Sequence, residues 1–331
     1  MASFCYYRLV GENYTMKNIT FYKFEVYPDK SLRIDQIIAS QLPEYSRSRI
    51  KNWINDEKIT INGKSCTPKD RIAIKSSVEV KIFENEELDI ESQNIPIEIL
   101  YDDEDFLIIN KESGMVTHTA PGNFTGTLQN ALLYKYPELR SIPRAGIIHR
   151  LDKNTSGLLI IAKNLKSHNE LTKQIQLRKI TKKYDALVTG IISSNVVINE
   201  KIGRHKINRK KMTICDNGKE SISKITVKEN YIKSSYLEVE LITGRTHQIR
   251  VHLSYLGHPI IGDKLYGFKK NIFNSDKGFH EYLEVYNSHA LHAKHLRFKH
   301  PASKENFSIE APLPDSFIKI KSYIGGRHHD S

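Results

Sequence analysis

The sequence of 331 residues has little cysteine: Cys5, Cys66 and Cys215 are scattered, and no two stand at metal-ligand spacing. That argues against a disulfide framework or a zinc ribbon and suits a reducing compartment. Long apolar runs are also lacking, and the N-terminus carries no apolar stretch flanked by basic residues. Neither a membrane span nor a secretory leader is therefore expected, and a cytoplasmic location is. Acidic residues are in deficit, with 38 Asp and Glu against 50 Lys and Arg, a formal charge of +12. Such a surplus favours a polyanionic partner, nucleic acid before membrane, because neutralising phosphates gives affinity independent of sequence. A compositional bias toward Lys, Ile and Asn is the bland alternative. What remains, 39% hydrophobic and 27% charged, is ordinary globular content, enough for one sizeable core and a smaller accessory domain.

Residues 1–30 read as an N-terminal extension with one strand over residues 19–26, and Met16 is a plausible start because nothing before it has a pattern. From Ser31 a small unit begins. Ile34, Ile37, Ile38 and Leu42 fall at helical spacing; Pro43 stops that helix, and Ser46 can cap the next, whose inward face is Ile50, Trp53 and Ile54. A short alternating strand, residues 58–63, enters an Asn62-Gly63 turn, and another follows with Val78, Val80 and Ile82 on one face.

The stretches Arg33-Ile-Asp35, Leu42-Pro-Glu-Tyr-Ser-Arg-Ser-Arg49 and Ile59-Thr-Ile-Asn-Gly63 resemble the S4 RNA-binding domain, over residues 31–83. The resemblance implies that Arg47, Arg49, Lys51, Lys58 and Lys64 face structured RNA; a solvated basic face is the alternative. Two turn positions depart from that pattern: Glu57 stands where glycine is common, and Ser76-Ser77 replaces Gly-Asp. Residues 84–94 follow, carrying Glu84, Glu86, Glu87, Asp89 and Glu91, and read as a solvated acidic linker.

Beyond Pro96 the pattern changes to strands, at residues 97–101 and 106–109, and Thr127 to Tyr134 reads as a helix. The centre of the chain is residues 146–162. There a polar cluster of His149, Arg150, Asp152, Asn154, Thr155 and Ser156 sits between two apolar runs, Ile147-Ile148 and Leu158 to Ala162. Both runs read as buried strands, so the polar segment is a loop at the edge of a core, where a scaffold displays reactive groups. Asp152 is its one carboxylate.

His149-Arg-Leu-Asp-Lys-Asn-Thr-Ser-Gly157 matches, without a break, the signature of the RluA-type pseudouridine synthases, and Asn110-Lys-Glu-Ser-Gly114 resembles the opening of their catalytic domain. That opening usually has Pro after the Lys and Val-His-Pro downstream; here Glu112 and Thr117-His118-Thr119 stand instead. The resemblance covers most of the chain, from about Ser31 to Ile320. It implies an α+β protein: an S4 domain, then a catalytic domain over residues 95–324 whose mixed, mainly antiparallel sheet is flanked by helices, then a tail at 325–331. It implies isomerisation of uridine to pseudouridine in large-subunit ribosomal RNA, with another structured RNA such as tRNA as the alternative substrate; nothing in the sequence calls for more than a monomer.

The resemblance makes Asp152 the catalytic carboxylate, acting as nucleophile at C1′ or as base at C2′. The isomerisation involves no net oxidation or hydrolysis, so no metal or other cofactor is called for. A buried carboxylate tends to take up a proton, which a nearby guanidinium opposes. Residues 241–253 offer the candidates. Leu237, Val239 and Leu241 alternate as a strand, Gly244 makes a turn, and Thr246 can start a helix with Ile249, Leu253 and Leu256 inward, ended by Gly257. Resemblance assigns the salt bridge with Asp152 to Arg245, a phosphate contact being the alternative. It assigns Tyr184 to stacking on uracil, where a core tyrosine with a wet hydroxyl is the plain alternative. It assigns Arg150 to the space a flipped nucleotide vacates, against a phosphate clamp, and sets His149 beside the RNA.

Residues 201–212, with Lys201, Arg204, Lys206, Arg209, Lys210 and Lys211, read equally as an RNA-backbone contact or as a solvated face. His289, His292, His295 and His300 alternate onto different faces without a carboxylate, and no metal is assigned to them. Two rival classes remain: a non-catalytic RNA-binding or ribosome-assembly factor, and a metal-assisted RNA hydrolase using Asp152 and His149.

Overall fold

The computed structural model describes residues 14–16, 19–27, 31–42, 45, 47–83, 90–120, 122–273 and 276–326, and the chain divides into two units, before and after residue 90. Pro43, Ser46 and the acidic run at residues 84–89 lie outside the described residues, as does the end of the tail from residue 327.

The first unit runs β1 (Tyr14–Met16), β2 (Ile19–Val26), β3 (Leu32–Arg33), α1 (Ile34–Gln41), α2 (Arg47–Asn55), β4 (Ile59–Ile61), β5 (Lys64–Ser65), β6 (Arg71–Ile72) and β7 (Ser76–Phe83). Its main sheet has the order β1-β2-β7-β4-β5. The helical stripe Ile34, Ile37 and Ile38 packs with Ile50, Trp53 and Ile54 of α2 against Phe24, Val26, Ile59, Val78 and Val80 of the sheet. Burial of each such side chain contributes about 1.5–3 kcal/mol. Because β2 pairs with β7 along its whole length, residues 19–26 belong to this unit and are not an extension ahead of it. The two departures at turns are accommodated. Glu57 takes a φ of 56°, the left-handed conformation that glycine adopts at least cost, and Ser76 opens β7 with its hydroxyl donating to Ile74 O. Asn62 and Gly63, at φ 50° and 75°, form the turn into β5.

The second unit contains β8 (Glu98–Asp102), β9 (Phe106–Lys111), α3 (Leu128–Lys135), β10 (Ser156–Ala162), α4 (Leu165–Gln176), β11 (Thr181–Thr189), β12 (Val196–Asn199), β13 (Ile202–Arg204), β14 (Met212–Ile214), β15 (Ile222–Asn230) and β16 (Ser234–Leu241). α5 (Gln248–Tyr255), α6 (Lys277–Val285), β17 (Leu291–Lys299), β18 (Asn306–Glu310) and α7 (Asp315–Ile324) complete it. The large sheet has the order β12-β15-β16-β11-β17-β10-β9-β8, with β18 also on β17. The β10–β17 pair is parallel and the others are antiparallel, so the sheet is mixed and mainly antiparallel.

The apolar run of β10 is buried on both faces. Leu158 and Ile160, with Phe106 and Ile108 of β9, pack toward Leu171 of α4, while Leu159 and Ile161, with Leu107 and Ile109, join the core that includes α3 and α5. That double burial is why the run shows no alternation of polar and apolar residues. α3 begins as expected at Thr127, whose side chain and that of Asn130 form a reciprocal cap.

Two expectations need correction. Ile147-Ile148 is not a strand: Pro143–Gly146 is a tight turn in which Arg144 and Ala145 are left-handed, at φ 56° and 51°, and Ile147 makes a single bridge to Ile161. Nor are residues 90–94 solvated linker. The Gln93 N–H donates to Asn130 O at 3.0 Å, Asn130 donates to Glu91 O at 2.7 Å, and Ile90 packs on the large core. The apolar and amide groups at this end outweigh its single described carboxylate.

Candidate active site

The loop between residues 147 and 156 is held by side chains that have no need to touch a ligand. Buried Lys111, at the end of β9, donates from Nζ to the carbonyls of Glu112 (2.7 Å), Met115 (2.9 Å) and Lys153 (3.1 Å). Burial pushes its pKa down to about 7, against the opposing charges of Asp152 and Glu112; the three carbonyls engage the three protons of the charged form. Thr117 donates to Leu151 O at 2.9 Å, and the Asp152 carbonyl accepts from Thr155 N at 3.1 Å. Thr155 Oγ1 pairs with His289 Nε2 at 2.8 Å and Ser156 Oγ with His292 Nδ1 at 2.9 Å. Gly157 is at φ 110°, and a Cβ there would lie 2.3 Å from Ala293 O, so only glycine lets β10 run beside β17.

Asp152 stands in the middle of this loop with its side chain 19% exposed. Its Oδ2 accepts from Nη1 of Arg250 at 2.9 Å, and the same guanidinium donates from Nε and Nη2 to Oδ2 and Oδ1 of Asp263 at 2.7 and 2.9 Å. The expectation for Arg245 is thereby corrected. Arg245 lies ahead of α5 with its Nε on Glu220 O at 3.0 Å, while Arg250, buried in the first turn of α5, is the cation on Asp152. The reason is local. Thr246 does not start the helix; His247 precedes it in the left-handed conformation at φ 57°, and α5 runs from Gln248 with both faces of its first turns buried, Arg250 among them. Sequence reasoning missed Arg250 and Asp263. The available signal was an arginine one residue beyond the inward Ile249, where an arginine needs a buried acceptor, with a carboxylate just after the apolar Pro259-Ile-Ile.

Two further groups close on this pair. The Arg250 guanidinium stacks over the Tyr266 ring, 4.8 Å from its centroid, and the Tyr266 hydroxyl lies 2.7 Å from His247 Nδ1. His247 Nε2 is 3.8 Å from Asp152 Oδ1. Tyr184, on β11, is buried in the same wall; burial pushes its hydroxyl pKa up, and the charge of Asp152 adds to that.

Asp152, Tyr184, Arg150, His149, Arg245 and Arg250 all line one cavity of about 520 Å³, within the usual size of a ligand site. Arg144, Arg178 and Lys182 line it too, and Asp152 is the one carboxylate among its described lining residues. Such a wall suits a ligand with anionic groups. Arg150 is exposed on it, as expected of a residue that meets the ligand. His149 is a correction: its Nε2 accepts the Ile160 N–H at 3.0 Å, and burial pushes its pKa down to about 3. It fixes the loop to β10 as a neutral acceptor, and that nitrogen is not available to a metal or to RNA.

In the first unit the basic residues are more occupied than the sequence suggests. Buried Asp35 accepts from Arg33 Nε at 3.0 Å and Arg47 Nη2 at 2.9 Å, with Lys51 Nζ 3.8 Å away. Burial would raise the Asp35 pKa, but the hydrogen bonds from Arg47 and Arg33 hold it below the usual range. Arg49 lies over the rings of Tyr45 and Trp53, at 5.4 and 5.3 Å, Lys58 is 3.7 Å from Asp56, and Lys64 is exposed on β5. Arg47 and Lys51 therefore have a structural task beside any RNA contact. The hairpin of β13 and β14 carries exposed Arg209 and Lys210 at its tip. Among the described residues no three His, Cys, Asp or Glu side chains converge as a metal site. His295 lies 2.9 Å from Ser308 Oγ, and His300 lies 3.0 Å from Asp103.

The chain is similar to known proteins in sequence and in fold. Residues 105–255 match the family model described as RNA pseudouridylate synthase, and residues 32–76 match the S4 domain. The ribosomal large subunit pseudouridine synthase D of Pseudomonas aeruginosa is 40% identical over 293 residues, 88% of this chain and 92% of that protein. The proteins of the same name from Haemophilus influenzae and Escherichia coli are each 39% identical, over 89% and 87% of this chain and 92% and 89% of theirs. Among solved structures, human RNA pseudouridylate synthase domain containing 1 is 31% identical with a TM-score of 0.52, over 67% of this chain and 85% of that one. Human RNA pseudouridylate synthase domain containing 4, 23% identical with a TM-score of 0.55 over 69% and 93%, shares the fold.

Proposed function

As the chain belongs to the RNA pseudouridylate synthase family and carries an S4 domain, we propose that it isomerises uridines of large-subunit ribosomal RNA, with Asp152 as the catalytic group. The observation that carries this reading is the Asp152–Arg250 pair, in a cavity whose other charged lining residues are cations. The C1′–N1 bond breaks and its electron pair leaves with uracil. The base turns, C5 bonds to C1′, the C5 proton departs, and N1 ends protonated, so atoms and electrons balance without a redox partner. Asp152 serves this by adding to C1′ or by taking the C2′ proton and returning it. Arg250 fixes one carboxylate oxygen, and Oδ1 keeps no hydrogen bond among the described residues.

Reaching C1′ in a folded RNA requires the nucleotide to leave its stack. Tyr184 then offers a ring for the extruded base, and Arg150, exposed at the mouth, meets the strand it left. Arg47, Arg49, Lys51, Lys58 and Lys64 of the first unit contact the RNA. The reading carries with it a monomer and a cytoplasmic enzyme. No helix among the described residues is long and apolar enough to cross a membrane. Carbodiimide–primer-extension mapping of ribosomal RNA from cells with and without the gene tests the reading. Pseudouridine stops lost with the gene are expected, and an unchanged pattern would remove large-subunit RNA as the substrate.

A further inference from the structure

Lys182 is a charge that nothing described so far uses. It lies on β11 two residues before Tyr184. Positions i and i+2 of a strand share a face, so both side chains turn to the cavity and line it. Lys183, between them, turns away and donates to Glu238 at 2.9 Å. The contrast with Lys111 is sharp. Lys111 is buried and Lys182 is partly buried on the cavity wall, but the protons of Lys111 are met by three carbonyls, whereas the Lys182 ammonium has no hydrogen-bond or ion-pair partner among the described residues. Burial lowers the Lys182 pKa and no carboxylate counters it. Nζ lies beside Gly244, where a Cβ would stand 3.1 Å from it. An unpaired ammonium withdrawn from water is unfavourable, and a fold gains from one only when something anionic arrives.

We propose that Lys182 meets an anionic oxygen of the target nucleotide, the carbonyl oxygen of uracil as it departs or a phosphate oxygen beside it. The inference rests on the uridine-isomerising reading. When C1′–N1 breaks, the charge on uracil spreads from N1 to O2 and O4, and the new C1′–C5 bond withdraws it again. Lys182 balances that charge and keeps its protons. The two Cα atoms are about 6.6 Å apart along the strand, so a base stacked on Tyr184 brings its edge within reach of the long lysine side chain.

The test uses full-length Lys182→Gln, Lys182→Met and Lys182→Arg on transcribed large-subunit ribosomal RNA. Melting curves identify the variants that fold as wild type does. If the uracil oxygen is the partner, Lys182→Gln lowers the single-turnover rate roughly 100-fold, as loss of one donor to a developing anion does, with an unchanged Kd, and Lys182→Arg recovers part of the rate. If a phosphate is the partner, Kd rises instead, and the slope of log Kd against log salt falls by about one. Folded variants with wild-type rate, Kd and salt slope overturn the inference alone. A wild-type enzyme that makes no pseudouridine on this RNA overturns the reading beneath it as well.

Discussion

Arg250 binds two carboxylates at once, Asp152 Oδ2 through Nη1 at 2.9 Å and both oxygens of Asp263 through Nε and Nη2 at 2.7 and 2.9 Å. The fork on Asp263 fixes the plane of the guanidinium, which in turn fixes where the Asp152 carboxylate stands. A lysine has no fork and cannot hold both.

Arg250→Lys should therefore lose most activity and, by giving up the two-pronged contact with Asp263, lower stability. Arg245→Ala should keep the melting temperature of the parent and at most weaken RNA binding. Urea unfolding with single-turnover kinetics on both variants checks this. An inactive Arg245→Ala beside an active Arg250→Lys would reverse the assignment.

His149 is expected to matter to the fold and not to RNA affinity. His149→Ala leaves the buried Ile160 N–H without its acceptor, a cost of about 1–3 kcal/mol. Calorimetry should show the loss, while Kd for RNA, measured on the folded variant, stays at the parent value. A raised Kd at unchanged stability would restore His149 to the RNA contacts.

Acid should destabilise the protein through its buried histidines. Burial pushes His289 and His292 down to about 4, whereas in the unfolded chain they titrate near about 6.5. Between these values the unfolded chain binds more protons. Stability present above about pH 6.5 is then lost as pH falls toward about 4, by up to ~1.4 kcal/mol per pH unit for each histidine. Urea midpoints at about pH 7 and about pH 5 measure it, and His292→Gln should flatten the dependence. A midpoint independent of pH would contradict the burial argument.

Removing residues 1–89 should raise Kd for RNA, and the remaining chain should melt cooperatively, because the two units have separate cores. Cutting after residue 94 instead should destabilise the catalytic unit, since Gln93 and Glu91 bond to Asn130 and Ile90 packs on the core. Circular dichroism melts of both truncations decide it; equal stability would return residues 90–94 to the linker.

Much of this site is legible in residues 146–162, because its apolar run, its glycine and its lone carboxylate are local features. Gly157 needs only the space its neighbour denies, and Thr127 caps α3 from within its own segment. The counter-ion is not local. Both Arg245 and Arg250 lie near the start of α5, which follows the left-handed His247 and not Thr246, the expected first residue, and only the packing around the helix shows which of them meets Asp152. The acceptor that confirms the choice, Asp263, is 13 residues further on. Lys182 is invisible for the same reason. That its ammonium lacks a partner among the described residues is a property of every chain segment around it, and no spacing encodes it.

The central claim is that Asp152 performs the isomerisation, and Asp152→Asn tests it most directly, since the amide keeps the shape and removes the charge. Cells carrying Asp152→Asn in place of the parent gene should yield large-subunit ribosomal RNA lacking the carbodiimide–primer-extension stops that depend on this enzyme. If every one of those stops persists at wild-type intensity with the variant as the sole copy, Asp152 is not the catalyst.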